Sequence, residues 1–305
     1  MRLLSTALTP LASRLLTFDG CNFSHPVGEP AIVPADSVSW RVFSNPVSLY
    51  VGGIAAVLLE LGEPRVRAGI WDNSDFRRNP GERMRRTGAA AMVTVFAARS
   101  EFEALAAQVN AVHAQIAGET PEGQRYRADD PDLLLWVQAT ASFAFLSAYT
   151  RFVRPLTISE KNGYYAEAAA GARLYGVTDP PRSDAELQRL FDDVAPRLTP
   201  SPVIHQFLHI VRAEPILPAP LRPLQRLIVR AALGIIPERF RESLAIGSEP
   251  RATAAERALV RLLARTAGAL HVPTSPWALA AQRLGLPADY LQRRAGPGAA
   301  EQPAR

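Results

Sequence analysis

The chain has 305 residues, of which 48% are hydrophobic, enough for the core of one large domain or two small ones. The formal net charge of +5 comes from arginines scattered along the chain, with Lys161 as the single lysine, and this dispersal argues against a nucleic-acid-binding surface. The single cysteine, Cys21, excludes a disulfide framework and a cysteine-rich metal site. No window approaches the ~18 apolar residues of a membrane span, and the N-terminus lacks a continuous apolar signal region, so we expect a cytoplasmic protein.

The first part of the chain predicts an arm followed by a buried helix. Residues 1–44 are punctuated by prolines and should form an arm wrapped on the domain, opened by a short amphipathic helix. Asn45-Pro46 is a helix start, with proline at the first position, where no N–H is needed. Residues 47–61 are nearly all apolar, which indicates a buried helix. Within it, the pair Gly52-Gly53 suggests close packing of another element.

Two further helices are predicted between residues 80 and 118. Asn79-Pro80 starts the first, and Gly118 ends the second. In the second, apolar positions recur at helical spacing along one stripe that also carries His113. The members of this stripe are Phe102, Ala106, Val109, His113 and Ile116.

The remaining pattern is helical to near the C-terminus, and no strand alternation of useful length appears. The predicted helices are roughly 131–152, one opened by residues 157–160, 184–198, one from 201, 224–236, 254–270 and 275–286. We therefore predict an all-α fold, a single globular multi-helix domain. Its parts are the arm 1–44, the main helical domain 45–240, a C-terminal helical extension of the same domain at 241–293, and a disordered tail at 294–305.

Few residues suggest chemistry. Arg83, Arg86 and Thr87 fall at i, i+3 and i+4 on one helix face, where they could hold the carboxylates of a cofactor or form an ordinary solvated basic face. His113 on an apolar stripe is either a core histidine or a metal or haem ligand. Asp72 and Glu60 are candidate acid–base carboxylates by position only.

Other motifs are weak or absent. His205 and His209 have metal-ligand spacing, but Gln206 stands where the H-E-x-x-H motif has its glutamate. No G-x-S-x-G elbow, Walker A loop or G-x-G-x-x-G is present, which removes support for hydrolase, NTPase and Rossmann dehydrogenase functions. The segment 224–236 is either a membrane-surface helix with Arg226 and Arg230 facing headgroups, a peripheral membrane contact, or an ordinary amphipathic packing helix.

The order of four segments resembles a known family. They are AAVLLELGEPRVRAGIWDNSDF, NPGERMRRT, VNAVHAQIAGETPEGQRYRADDPDLLLWVQAT and AYTRFVRPLTISEKNGYYAE. Together they are similar to the haem-dependent oxygenases that include the latex-clearing rubber oxygenases and the fungal oxygenase that cleaves a prenyl side chain in mycophenolic acid biosynthesis. The resemblance covers roughly residues 40–195 and, more weakly, continues to about 240.

The resemblance implies an all-α fold that holds haem b in a slot between helices. His113 matches the proximal iron ligand, and Arg83 and Thr87 match an arginine and a threonine beside the haem. Arg86 stands where rubber oxygenases have a distal lysine, and arginine is a poor iron ligand because it stays protonated. Trp136 belongs to the aromatic residues of segment 136–152, which either line the slot or form ordinary core.

Three histidines of the family are missing here. Glu63, Asn73 and Gln138 stand at those positions, and Glu60 stands where the family often has glutamine. None of these is the match to the proximal ligand, so haem binding is still expected, while substrate-side polarity and proton handling should differ.

The predicted function is therefore oxidation or cleavage of a C=C bond in an apolar, polyisoprenoid- or lipid-like substrate by dioxygen, with haem b as cofactor. Arg83 would orient a haem propionate or the distal network, Thr87 would position oxygen or pack the porphyrin, and Asp72 would be a base. The alternative is a non-catalytic helical protein that binds haem or another apolar ligand. The oligomeric state is open.

Overall fold

A computed structural model of the chain describes residues 16–18, 20–214 and 222–294. Within these ranges it contains fourteen α-helices, two short 3-10 helices and one two-stranded sheet, which confirms the all-α prediction. The predicted opening helix near the N-terminus and the predicted disordered tail lie almost entirely outside the described residues.

The first two helices begin at N-caps, and a sharp bend separates the second from the third. Helices α1 (Val38–Phe43) and α2 (Pro46–Glu60) begin after Ser37 and Asn45, whose side chains accept hydrogen bonds from backbone N–H groups of the first turn. Helix α3 (Pro64–Asn73) is bent by 112° from α2. This bend places the C-terminal end of α2 beside the helices that follow.

The next segment contains a 3-10 turn (Asp75–Arg77), helix α4 (Pro80–Phe96) and helix α5 (Arg99–His113). Strand β1 (Ala117–Glu119) then pairs antiparallel with β2 (Arg125–Arg127), Gly118 opposite Tyr126. The expected end of α5 was therefore wrong, since the helix ends at His113 rather than near Gly118, and the short β-hairpin that follows was not predicted. Each strand has three residues, too few for an alternating pattern to be recognised.

Helix α6 (Pro131–Phe152) packs most extensively against α2 and is the centre of the molecule. A Cβ atom added at Gly52 would lie 2.7 Å from Phe145 Cδ1 and 2.9 Å from Phe145 Cα, so the close-packing interpretation is confirmed for Gly52. At Gly53 a Cβ atom would meet none of the described residues within 4 Å, so close packing does not explain the second glycine.

Eight further helices surround this central pair. They are α7 (Ile158–Leu174), α8 (Asp184–Val194, continued by a 3-10 turn Ala195–Arg197), α9 (Pro202–Ala213), α10 (Arg222–Leu233), α11 (Glu238–Ser243), α12 (Ala254–Ala269), α13 (Pro276–Arg283) and α14 (Tyr290–Arg294). Helices α10 and α12 both pack on α2. The apolar face of α10 is buried, and Arg230 pairs with Glu256 at 2.6 Å, as expected for a packing helix.

By length and hydropathy, α6 could cross a membrane, and α2 with α3 could form a second span only as a sharply bent pair. The sequence expectation that no such window exists is therefore wrong for α6. Half of its most apolar stretch is buried inside the protein, as in a core helix.

Candidate functional site

Three side chains from separate helices form the candidate site. Glu60 is the last residue of α2, Arg83 lies in the first turns of α4, and His113 is the last residue of α5. The positive charge of Arg83 acts on both Glu60 and His113, so the three groups share one electrostatic environment. Glu60 and His113 are far apart in sequence. The bend after α2 and the packing of α5 against α4 bring their helices to the same part of the structure.

His113 is half-buried at the end of its predicted stripe. Phe102 and Ala106 are fully buried, and exposure increases towards the C-terminal end of α5. The Nδ1 atom of His113 is buried and has no hydrogen-bond partner among the described residues. Burial lowers the pKa of His113, the Arg83 charge lowers it further, and Asp129 opposes the shift. At neutral pH the imidazole is therefore uncharged, the state in which a ring nitrogen can coordinate a metal.

The β-hairpin fixes the end of α5 that carries His113. The backbone N–H of Ala128 donates to the Ile116 carbonyl at 2.9 Å, and Arg127 donates to the Ala114 carbonyl at 3.2 Å. Asp129 accepts two hydrogen bonds from Arg127, at 2.9 and 3.0 Å. The unexpected hairpin thus fixes the chain just after His113, and its Arg127 holds Asp129, whose charge acts on His113.

The three predicted residues of α4 have different environments. Arg83 is partly buried, and its Nε atom is buried without a hydrogen-bond partner in the described chain. Arg86 is exposed and lies 3.6 Å from Asp75. Thr87 is exposed too, and its hydroxyl donates to the Arg83 carbonyl at 2.9 Å. Of the three, only Arg83 is directed into the protein.

Glu60 lies at the end of a stripe along α2 that sequence reasoning missed. Between residues 50 and 60 only four positions are not fully buried: Tyr50, Gly53, Val57 and Glu60. Their spacing places them on one helix face. Among the described residues, the buried Tyr50 hydroxyl has no partner and a Cβ atom at Gly53 would have no neighbour within 4 Å. The same i, i+3, i+7, i+10 pattern is visible in the sequence and could have revealed this face.

The protonation of Glu60 is unusual. Burial raises the pKa of its carboxyl to about 7, although the Arg83 charge acts in the opposite direction. No hydrogen bond or ion pair satisfies the carboxyl within the described residues, which explains why burial dominates. Glu60 can therefore hold or release a proton near neutral pH beside a permanent cation.

These residues fit a haem group. An uncharged imidazole is the usual protein donor to haem iron, and a guanidinium suits the carboxylates of a porphyrin. Two buried nitrogen atoms, His113 Nδ1 and Arg83 Nε, have no partner of their own in the described protein. An unsatisfied buried polar atom is costly, roughly 1–3 kcal/mol, so a ligand that satisfies both would be stabilised here.

The other predicted site residues lie apart from this group. Asp72 is exposed near the end of α3. Trp136 is buried on α6, where its ring packs against Phe191 and Phe240, with centroids 5.5 and 6.3 Å away. It therefore contributes to the core behind the central helices.

His205 and His209 are exposed on α9, where they line an open cavity of about 420 Å³ with Trp71 and Arg77. His205 Nδ1 lies 3.7 Å from Glu249. In the described part of the chain no group of three or more histidine, cysteine or acidic residues could hold a metal ion. The weak metal motif therefore gains no support.

The three residues that replace the family histidines form hydrogen bonds within the protein. Glu63 is buried and caps α3, accepting from the N–H groups of Arg65 and Val66 at 2.7 and 2.9 Å. Asn73 donates to the Tyr126 hydroxyl at 3.2 Å, and Gln138 donates to Ser142 at 2.9 Å. The Gln138 Oε1 atom is buried and unpartnered within the described residues.

Comparison with known proteins gives one match. No curated protein and no solved structure matches the chain. A model of the family described as ER-bound oxygenase mpaB/B'/rubber oxygenase, catalytic domain, matches residues 40–269, well over half of the chain. This match confirms the resemblance carried by the four segments and extends it to α12. The chain belongs to the mpaB and rubber oxygenase family of oxygenase catalytic domains.

Proposed function

We propose that the chain is a haem b-dependent oxygenase that uses dioxygen to oxidise or cleave a C=C bond of an apolar, isoprenoid- or lipid-like substrate. Family membership supports the oxygenase class. The observation that carries the haem assignment is the half-buried, uncharged imidazole of His113, which lies within the field of Arg83 and whose Nδ1 atom has no partner among the described residues. When bound, haem b supplies the redox chemistry with dioxygen.

The side chains have distinct proposed roles. His113, uncharged at neutral pH, would hold the iron. Arg83 would bind a porphyrin carboxylate, and its buried Nε–H group has no acceptor among the described residues. Arg86 and Thr87 lie one turn further along α4 and would border the same group from its solvent side. Trp136 would support the slot from within the core.

Two carboxylates are candidates for handling protons. Asp72 is the base suggested by its position in the sequence, and it is exposed near the end of α3. Glu60 is the better placed of the two, because it lies in the field of Arg83 and its pKa of about 7 suits proton transfer at neutral pH. Glu60 would hold or accept the proton, and Arg83 would stabilise its ionised form.

The stripe on α2 supports an apolar substrate. Gly53 and Val57 offer an apolar face between the polar ends at Tyr50 and Glu60. A substrate bound on this face would exclude water from it, and the protein would recognise that substrate mainly through apolar contacts.

The test is the absorption spectrum of the protein purified after expression with haem supply. We expect a Soret band in the wild type and its loss in His113→Ala. His209→Ala, which removes an exposed imidazole on α9, is the matched control and should keep the band. Absence of the band in the wild type, or full haem retention in His113→Ala, would overturn the assignment.

Turnover needs a separate measurement. Oxygen consumption with alkene-containing lipids, including a polyisoprenoid, should be seen with the wild type and lost with His113→Ala. A protein that shows the Soret band yet consumes no oxygen with any of these substrates would be a non-catalytic haem-binding protein.

A further inference from the structure

A second cavity, of about 340 Å³, lies between α6, α7 and the first residue of α8. It shares no lining residue with the stripe on α2, with Arg83 or with His113. Its polar lining comes from six side chains on three helices: Ser147, Thr150, Arg151, Lys161, Tyr165 and Asp184. The composition of this lining, with two cations, three hydroxyls and one carboxylate, needs an explanation.

The two cations are unpaired within the part of the chain that the structure describes. Lys161 is the only lysine in the chain. Neither its ammonium group nor the guanidinium of Arg151 has a hydrogen bond or an ion pair with any described residue. The adjacent acid is already engaged, since Glu160 accepts from Arg154 at 2.5 Å and from Arg41 at 3.0 Å. Lys161 and Arg151 are therefore free to bind an anion from outside the protein.

Two further arginines make the surroundings of Arg151 more positive. Arg257 and Arg261 donate to backbone carbonyls, Arg257 to Ala252 at 2.8 Å and Arg261 to Arg151 at 3.1 Å. Neither forms an ion pair with a described acid. Burial lowers the pKa of Arg151, and both neighbouring charges lower it further. These cations outnumber the one lining carboxylate, Asp184, so they repel each other, and a bound anion would relieve that repulsion.

The hydroxyl groups add donors to the same cavity. The Thr150 Oγ1 atom is buried and has no partner among the described residues. Burial and the charge of Asp184 raise the pKa of Tyr165, so its hydroxyl stays protonated and able to donate. Asp184 itself can accept hydrogen bonds only, which suits a ligand that carries hydroxyl groups beside its anionic group.

We propose that this cavity is a binding site for a small phosphomonoester that also carries hydroxyl groups. Lys161 and Arg151 bind the phosphate, Thr150 and Tyr165 donate to its remaining oxygens, and Asp184 accepts from the organic part. A phosphate carries nearly two charges and three acceptor oxygens, which matches two cations and several hydroxyl donors better than a carboxylate does. The volume exceeds that of free phosphate, so an organic part fits.

The proposal is tested by isothermal titration calorimetry of the full chain with glucose 6-phosphate. Inorganic phosphate tests the anion alone, and gluconate tests a carboxylate with the same kind of hydroxyl groups. We expect binding of glucose 6-phosphate, weakened at least about tenfold in Lys161→Met and in Arg151→Met, because each loses a charge-assisted hydrogen bond. Arg173→Met, an exposed arginine of α7 outside the cavity, is the matched control and should bind like the wild type.

A near-isosteric variant distinguishes loss of binding from loss of folding. Thr150→Val removes one donor and keeps the shape, so it should fold normally by circular dichroism and bind several-fold more weakly. Equal affinity in all variants, or no binding by the wild type at millimolar glucose 6-phosphate, would overturn the proposal. Binding of gluconate in preference to glucose 6-phosphate would overturn the assignment to phosphate.

Discussion

At the residue scale, the candidate site is governed by one charge. Arg83 acts on an imidazole and a carboxyl whose responses have different consequences. For His113 the charge adds to burial and favours the uncharged ring. For Glu60 the charge opposes burial and brings the carboxyl back towards ionisation. One guanidinium thus favours an uncharged imidazole and keeps a neighbouring carboxyl able to titrate near neutral pH.

Replacing Arg83 should be visible in the titration of His113. In Arg83→Gln a repelling positive charge is lost, so the pKa of His113 should rise, and NMR titration of the haem-free protein would measure it. Arg86→Gln is the matched control, because Arg86 is exposed and close to Asp75 and Glu82. A shift as large in Arg86→Gln as in Arg83→Gln would show that the two charges are equivalent and contradict the environment described for Arg83.

Glu60 should make the haem-free protein less stable as pH rises. Its pKa is about 7 when folded and near 4.5 when unfolded, so the folded state retains a proton that the unfolded state releases. The stabilisation is complete below pH 4.5 and is lost as pH rises through 7. Glu60→Gln stays uncharged, so its stability relative to the wild type should increase from pH 5 to pH 8. Urea unfolding at both pH values measures this, and a constant difference would contradict the prediction.

How far the sequence reveals the site depends on the residue. The order of motifs predicts His113 and Arg83 as site residues, and the charge of Arg83 does act on His113. The raised pKa of Glu60 could not be predicted, because its partial burial depends on the 112° bend between α2 and α3. It could not be predicted either that Arg83 is partly buried while Arg86 and Thr87 on the same helix are exposed. Spacing assigns a shared face but does not say which residues of that face the neighbouring helices cover.

At the element scale, helix starts were predictable and helix ends were less so. Pro46, Pro80 and Pro131 each occupy the first position of a helix, as expected from their sequence context. The end of α5 was missed because its apolar stripe continues to Ile116, beyond the last helical residue. A hairpin of three-residue strands stops the helix there, and such strands are stabilised by contacts that local sequence does not encode.

The two adjacent glycines of α2 provide an element-scale test. Gly52→Ala would force a Cβ atom to within 2.7–2.9 Å of Phe145, including its backbone, so it should destabilise the protein by roughly 1–3 kcal/mol. Gly53→Ala meets no neighbour and should stabilise the haem-free protein by up to about 1 kcal/mol, because alanine favours the helix. Urea unfolding measures both. Similar effects of the two substitutions would contradict the described crossing of α2 and α6.

At the scale of the whole molecule, a single core was predictable from the long apolar helices. The contacts that join distant segments around this core were not predictable, and buried arginines make several of them. Arg241 is fully buried and donates to the carbonyls of Leu233 at 3.0 Å and Ile246 at 2.8 Å. Arg283 joins segments more than 180 residues apart in sequence. A sequence rich in arginine gives no sign of which few of them are buried, because that depends on carbonyls left free by distant helix ends.

Arg283 should therefore control the stability of the whole chain. Its guanidinium donates to the carbonyls of Phe23, Glu29 and Phe96 at 2.8–2.9 Å, joining the arm, the end of α4 and α13. Arg283→Met would leave these acceptors unsatisfied and should cost on the order of 3 kcal/mol. Arg293→Met, on an exposed arginine paired with Asp289, should cost far less.

Urea unfolding followed by circular dichroism and by tryptophan fluorescence measures the cost and also tests the unity of the fold. If the arm, the main helices and the C-terminal extension form one domain, both probes should give a single coincident transition, shifted as a whole in Arg283→Met. Two separate transitions, with only one of them moved by the substitution, would mean that the C-terminal helices unfold independently of the α2 and α6 pair.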